Sequence, residues 1–123
     1  MQFQLEQSAG GHAIRAYQRD AIKIGATTYT ESLIVTPEKL LEGWCSAGFE
    51  QLQRDDFASI AELEPEVVVL GTGEKQRFPN QKLMIDLINA GIGVEVMDTA
   101  AACRTYNILL ADSRRVAAAL LLD

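Results

Sequence analysis

Apolar and polar positions along the chain change period twice. In the first third, Ile22 and Ile24 alternate with Lys23, the two-residue period of a strand wet on one face. Ala13–Tyr17, Ala21–Gly25 and Thr27–Val35 read as three strands separated by the turn-like segments QRD and GA. Thr36-Pro37 closes the run, because the residue before proline is driven towards extended geometry. The pattern weakens from Pro37 to Glu66, where RDDFASIAELEP predicts a helix of two turns capped by Asp55 or Asp56 and ended by Pro65. Val67–Leu70 is then apolar throughout, as in a strand covered on both faces. Leu83, Met84, Leu87 and Ile88 form one helical stripe over Asn80–Ala90, with Gly91 as its carboxyl cap. Gly93–Met97 is a short strand, Asp98 or Thr99 caps a helix in which Cys103, Tyr106 and Leu110 share a face, and Val116–Leu122 reads as a central strand.

This β-α-β-α-β order with short connections predicts an α/β fold in which helices pack on a largely parallel sheet, preceded by a β-rich N-terminal third. One domain, residues 1–123, accounts for the whole length, with residues 1–11 as a loosely ordered lead-in. The longest apolar run, Val116–Leu122, falls far short of the roughly 20 residues of a membrane helix, so no membrane insertion is expected. Eleven Lys and Arg against 17 Asp and Glu give a net charge of −6. Such a surface repels phosphate backbones, which argues against nucleic acid as a partner. Cys45 and Cys103 form no C-x-x-C, and the amino end carries no signal pattern, so a cytoplasmic protein with reduced thiols is expected. His12 is the sole histidine and reads as a surface residue, which leaves no metal site and no cofactor to expect.

Chemistry is sought at the turn Gly71-Thr72-Gly73. Gln76 stands where a dinucleotide fingerprint needs its third glycine, and Lys75 is neither preceded by glycine nor followed by Ser or Thr as a phosphate loop requires. What survives is position. Ligands of open α/β sheets bind beyond the carboxyl ends of parallel strands, and two such ends are visible, at Gly71–Gly73 and at Asp98–Thr99. Their backbone N–H groups, with Lys75, Arg77, Arg104, Asn107 and the polar Thr72 and Asp98, suit a small anion or carboxylate. The competing reading is equal in weight: Asp98 caps a helix and Arg77 pairs with it. Cys103, without a histidine base nearby, reads as a buried structural thiol, Tyr106 as a core or interface residue, and Trp44 as a core anchor.

The segments PEVVVLGTGEKQRFP, GIGVEVMDTAAACRTYNIL and RRVAAALLL together resemble one family of small single-domain proteins. It includes bacterial and archaeal hypothetical proteins, the mitochondrial complex I assembly factor 3 proteins and the adipogenesis-associated Mth-domain proteins. The resemblance implies a three-layer β plus α/β/α fold around a central mixed sheet. It implies no established catalytic activity, and protein partners in the case of the assembly factors. The family's recurring positions match Gly71, Thr72, Gly73, Arg77, Asp98, Thr99, Ala102, Thr105 and Asn107. The amino terminus lacks a mitochondrial presequence, which aligns the chain with the cytoplasmic bacterial branch. Two functions follow as expectations: a non-catalytic binding or assembly-factor-like module, or an enzyme or sensor taking a small anionic metabolite at the rim. A homodimer through apolar surface left uncovered by the β-rich third stays open.

Overall fold

The computed structural model describes residues 11–45 and 47–123. It contains two sheets. The N-terminal hairpin strands β1 (Ile14–Gln18), β2 (Ala21–Ile24) and β3 (Thr27–Tyr29) form an antiparallel three-stranded sheet. The second sheet has five strands in the order β5-β4-β8-β6-β7, built from β4 (Leu33–Val35), β5 (Leu40–Glu42), β6 (Val67–Thr72), β7 (Gly93–Met97) and β8 (Val116–Leu121). β6, β7 and β8 are mutually parallel where they pair, whereas β4 is antiparallel to both β5 and β8, so the sheet is mixed. The helices are α1 (Arg54–Ala61), α2 (Ile85–Asn89) and α3 (Thr99–Ala111). Among the described residues, none of them is long and apolar enough to cross a membrane.

Alternation along the central strands assigns the two faces. Val116, Ala118 and Leu120 of β8 and Val69 of β6 point into a core shared with Ile14, Ile22 and Ile24 of the small sheet and with Cys103, Tyr106 and Leu110 of α3. The intervening Ala117, Ala119, Leu121, Val68 and Leu70 point the other way, against Phe57 and Ile60 of α1, Leu87 of α2 and Trp44. The molecule is therefore three layers: small sheet with α3, central sheet, and α1 with α2. A strand buried on both faces must be apolar at every position, and all six residues of β8 are buried.

Several local expectations need correction. Thr27–Val35 is not one strand: it breaks at Thr30–Ser32, and its halves belong to different sheets. Only the polar Glu31-Ser32 marks the crossing, with no proline or glycine there to signal a turn. β5 went unread because three residues are too few to display a period. The cap of α1 is Gln53 rather than Asp55 or Asp56; the Asp56 carboxylate accepts from the Gln53 N–H at 2.8 Å, anchoring the first turn from inside. The helix expected from Asn80 begins as a 3-10 turn over Gln81–Met84 and becomes α-helical only at Ile85. Its end is as expected: Gly91 has φ 74°, its N–H bonds Ile88 O at 3.0 Å, and the Ile92 N–H reaches Leu87 O at 3.0 Å, a Schellman closure. His12, read as a surface residue, is half-buried, with Nδ1 3.0 Å from Thr36 O. The lead-in expected over residues 1–11 lies, except for Gly11, outside the described residues.

Candidate functional site

The parallel register brings the expected rim together. Gly71 pairs with Met97 and Thr72 with Leu121, so β6, β7 and β8 all end on one side of the sheet. Above Gly71 the first turn of α3 passes so closely that a Cβ on Gly71 would lie 2.8 Å from Thr99 Cα and 3.1 Å from Ala102 Cβ. Gly73, at φ 98°, turns the chain away from β6. Glycine at these two positions is explained by helix approach and by backbone conformation.

The polar groups of the rim are tied to one another. Thr99, with no solvent exposure, accepts the Gly73 N–H on Oγ1 at 2.8 Å and donates the same hydroxyl to Leu121 O at 2.7 Å. Its own N–H donates to Gly73 O at 2.8 Å. The Asp98 side chain caps α3 by accepting the Ala101 N–H at 2.8 Å. Thr72 Oγ1 donates to Lys75 O at 2.6 Å and accepts the Arg77 N–H at 2.9 Å. Of the backbone N–H groups expected to face an anion, those of Gly73 and Thr99 are thus spent inside the fold.

Arg77 does not pair with Asp98. Its guanidinium donates to Thr72 O from Nε at 3.2 Å and Nη2 at 2.6 Å, approaches the Asp123 carboxylate at 3.4 Å, and lies 4.6 Å above the Phe49 ring centroid. Asp123 was missed by sequence reasoning. It also accepts the Glu74 N–H at 2.6 Å. The signal was the parallel pairing of β6 with β8, since a residue just past the end of β8 must arrive at the same rim as Gly73. Gln76, which breaks the nucleotide fingerprint, donates from Nε2 to Val96 O at 3.0 Å. β7 is an edge strand, and this side chain covers one of its outward carbonyls.

The remaining candidates lie apart from that knot. Lys75 joins the knot only through its backbone carbonyl and its side chain is exposed, whereas Arg104 and Asn107 sit further along α3, facing β1. Asn107 accepts the Ile14 N–H on Oδ1 at 2.8 Å and donates from Nδ2 to Ile14 O at 2.7 Å, so its amide occupies the place of a neighbouring strand. Tyr106 OH donates to His12 O at 2.9 Å, and Thr105 Oγ1 donates to Met97 Sδ at 3.3 Å. A groove of about 340 Å³ runs between β1 and α3 past Arg15 and Arg104, and adjoins a second of about 390 Å³ beside Gly73, Glu74 and Asp98. Burial pushes the Cys103 thiol up to about 12 against the opposing pull of Arg104, which makes it a poor nucleophile. Burial also raises Tyr106, and burial with the nearby Glu74 and Asp123 carboxylates raises Tyr17.

Known proteins share this architecture. The chain is 31 % identical over 118 residues to NADH dehydrogenase [ubiquinone] 1 alpha subcomplex assembly factor 3 of Danio rerio, a match covering 94 % of this chain and 67 % of that longer protein. The crystal structure of a Bordetella parapertussis protein superposes with a TM-score of 0.84 at 34 % identity, covering 91 % of this chain and 96 % of that one. A Bordetella pertussis protein described as a Mth938-like domain gives a TM-score of 0.82 at 28 % identity, over 94 % of this chain and 87 % of its own. A family model described as "Protein of unknown function (DUF498/DUF598)" matches residues 14–121. The chain belongs to the DUF498/DUF598 family.

Proposed function

We propose that this protein is a non-catalytic binding module that works by engaging another protein, in a role like the one its assembly-factor relatives are named for. One observation carries the reading: at the rim where an α/β sheet would hold a ligand, the Gly73 and Thr99 N–H groups, both threonine hydroxyls, the Asp98 carboxylate and the Arg77 guanidinium are engaged by the fold. Thr99 binds Gly73 and Leu121 O, Arg77 binds Thr72 and Asp123, and the Asp98 carboxylate accepts the Ala101 N–H. A carboxylate engaged as a helix cap and a guanidinium held by a backbone carbonyl are built for rigidity rather than proton transfer. The name of the zebrafish relative gives the direction of the analogy. A cytoplasmic location fits the two free thiols and belongs to this same proposal.

Affinity purification of the tagged protein from its native cells, followed by reconstitution with the purified co-eluting protein, tests the reading. A stoichiometric complex is the expected result. In parallel, a thermal-shift panel of phosphate and small carboxylates is expected to give no saturable stabilisation. A saturable shift from one of them, with no protein complex, would overturn the proposal in favour of a metabolite-binding rim.

A further inference from the structure

Phe78 is 71 % exposed, the most exposed large apolar side chain among the described residues. It sits in the loop between β6 and the 3-10 turn, and that loop is held on both sides of it. Arg77 is fixed by Thr72 O, Asp123 and the Phe49 ring, and Pro79 is buried. Gln76 is bound to Val96 O, and Asn80 Oδ1 accepts the Lys82 N–H at 2.9 Å. An aromatic ring displayed on a fixed backbone forfeits little conformational entropy when it docks, the property that makes such rings binding anchors.

The segment that carries it runs against the charge of the whole molecule, and the acids that bound it, Glu74 and Asp86, are each paired with an arginine, Arg19 and Arg54. From Lys75 to Ile85 the sequence KQRFPNQKLMI holds three cations and no acid, in a chain of net charge −6. Lys75 and Lys82 are exposed, and neither joins an ion pair among the described residues. Arg77 is engaged by Thr72 O and Asp123, leaving the two lysines, three residues before and four after Phe78, exposed to solvent.

We infer that Phe78, flanked by Lys75 and Lys82, is the docking epitope for a protein whose surface offers an apolar pocket rimmed by carboxylates. This rests on the protein-binding role proposed above and names the surface that performs it. The overall negative charge favours such a partner over an anionic lipid surface, which the rest of this molecule would repel.

The test places a photo-crosslinking amino acid at position 78, or at the equally exposed Ile108 on α3, in cells, and measures affinity for the captured protein after purification. Support would be crosslinking at 78 but not 108, and a Kd weakened about thirtyfold by Phe78→Ala, as loss of an aromatic anchor does. Lys75→Glu with Lys82→Glu should weaken it further and flatten its salt dependence, all with unchanged melting temperature. A purified partner that binds wild type and both variants alike would overturn the epitope while leaving the protein-binding role intact. Failure to crosslink any protein at either position, together with failure of the reconstitution above, would remove both. Phe78-dependent sedimentation with vesicles of about 30 mol % phosphatidylserine, without protein capture, would replace the protein partner by a membrane surface.

Discussion

Thr99→Val separates two explanations of the rim. Valine has the shape of threonine, so if Thr99 merely fills space the substitution is neutral, and Thr99→Ser, which deletes a methyl, is the damaging one. The structure requires the reverse. Thr99 is fully buried and its hydroxyl serves the Gly73 N–H at 2.8 Å and Leu121 O at 2.7 Å. Valine leaves a donor and an acceptor buried without that partner, at about 1–3 kcal/mol each. The carbonyl, with a second lone pair, sits at the low end of that range, giving a total of about 2–4 kcal/mol. Serine keeps both bonds and loses about 1 kcal/mol of methyl burial. In urea, with m about 1.5 kcal/mol/M, the midpoint should fall by about 1.3–2.7 M for valine and by under about 1 M for serine. Equal midpoints, or serine the worse of the two, would refute the view that this hydroxyl joins β6, α3 and β8.

Gly71→Ala should cost about 1–3 kcal/mol in the same assay, because its Cβ would meet the backbone of Thr99 at 2.8 Å, where only a shift of α3 relieves the overlap. Asn107→Ala should cost about 1–2 kcal/mol and accelerate hydrogen exchange at the Ile14 amide more than in β8, since both bonds holding β1 to α3 vanish. Stability should decline as pH rises from 9.0 towards about 12: the Cys103 thiol ionises at its ordinary value in the unfolded chain but holds its proton in the fold, so the unfolded state is favoured across that window. Cys103→Ala should flatten that decline in a pH series of urea melts, with the residual slope belonging to Tyr106, Tyr17 and Cys45, which burial also raises. Native Cys103 should likewise resist a thiol reagent at pH 8 that modifies the unfolded chain at once.

Elements with a long or two-sided pattern were legible in the sequence. β8 announced itself because a strand covered on both faces can hold no polar residue, and α3 because its cap and stripe agree. The nearness of Gly71–Gly73 to Asp98–Thr99 followed from parallel connection alone. Hidden were features set by strand order. β8 read as central, but nothing local names β4 and β6 as its neighbours, so Asp123 was not brought to Arg77, nor Leu121 O to Thr99. Short strands were lost for a related reason: β5 and the division between β3 and β4 are decided by which sheet has room for them. At the rim the sequence displays the polar groups of Thr99, Asp98 and Arg77 without displaying the internal partners that engage them.

The position of β8 bears on how the chain assembles during synthesis. It is the middle strand of five, and every other strand and helix precedes it in the sequence. Until it emerges from the ribosome, the β4–β5 and β6–β7 pairs have no strand to join them, and the apolar faces of α1 and α3 have only a partial sheet to cover. Native closure therefore waits on a late, sequence-distant pairing, the kind of step that slows folding and prolongs exposure of sticky surface. A nascent chain stalled just short of Val116 should be a client for chaperones, and release of six further residues should convert it to a protease-resistant domain.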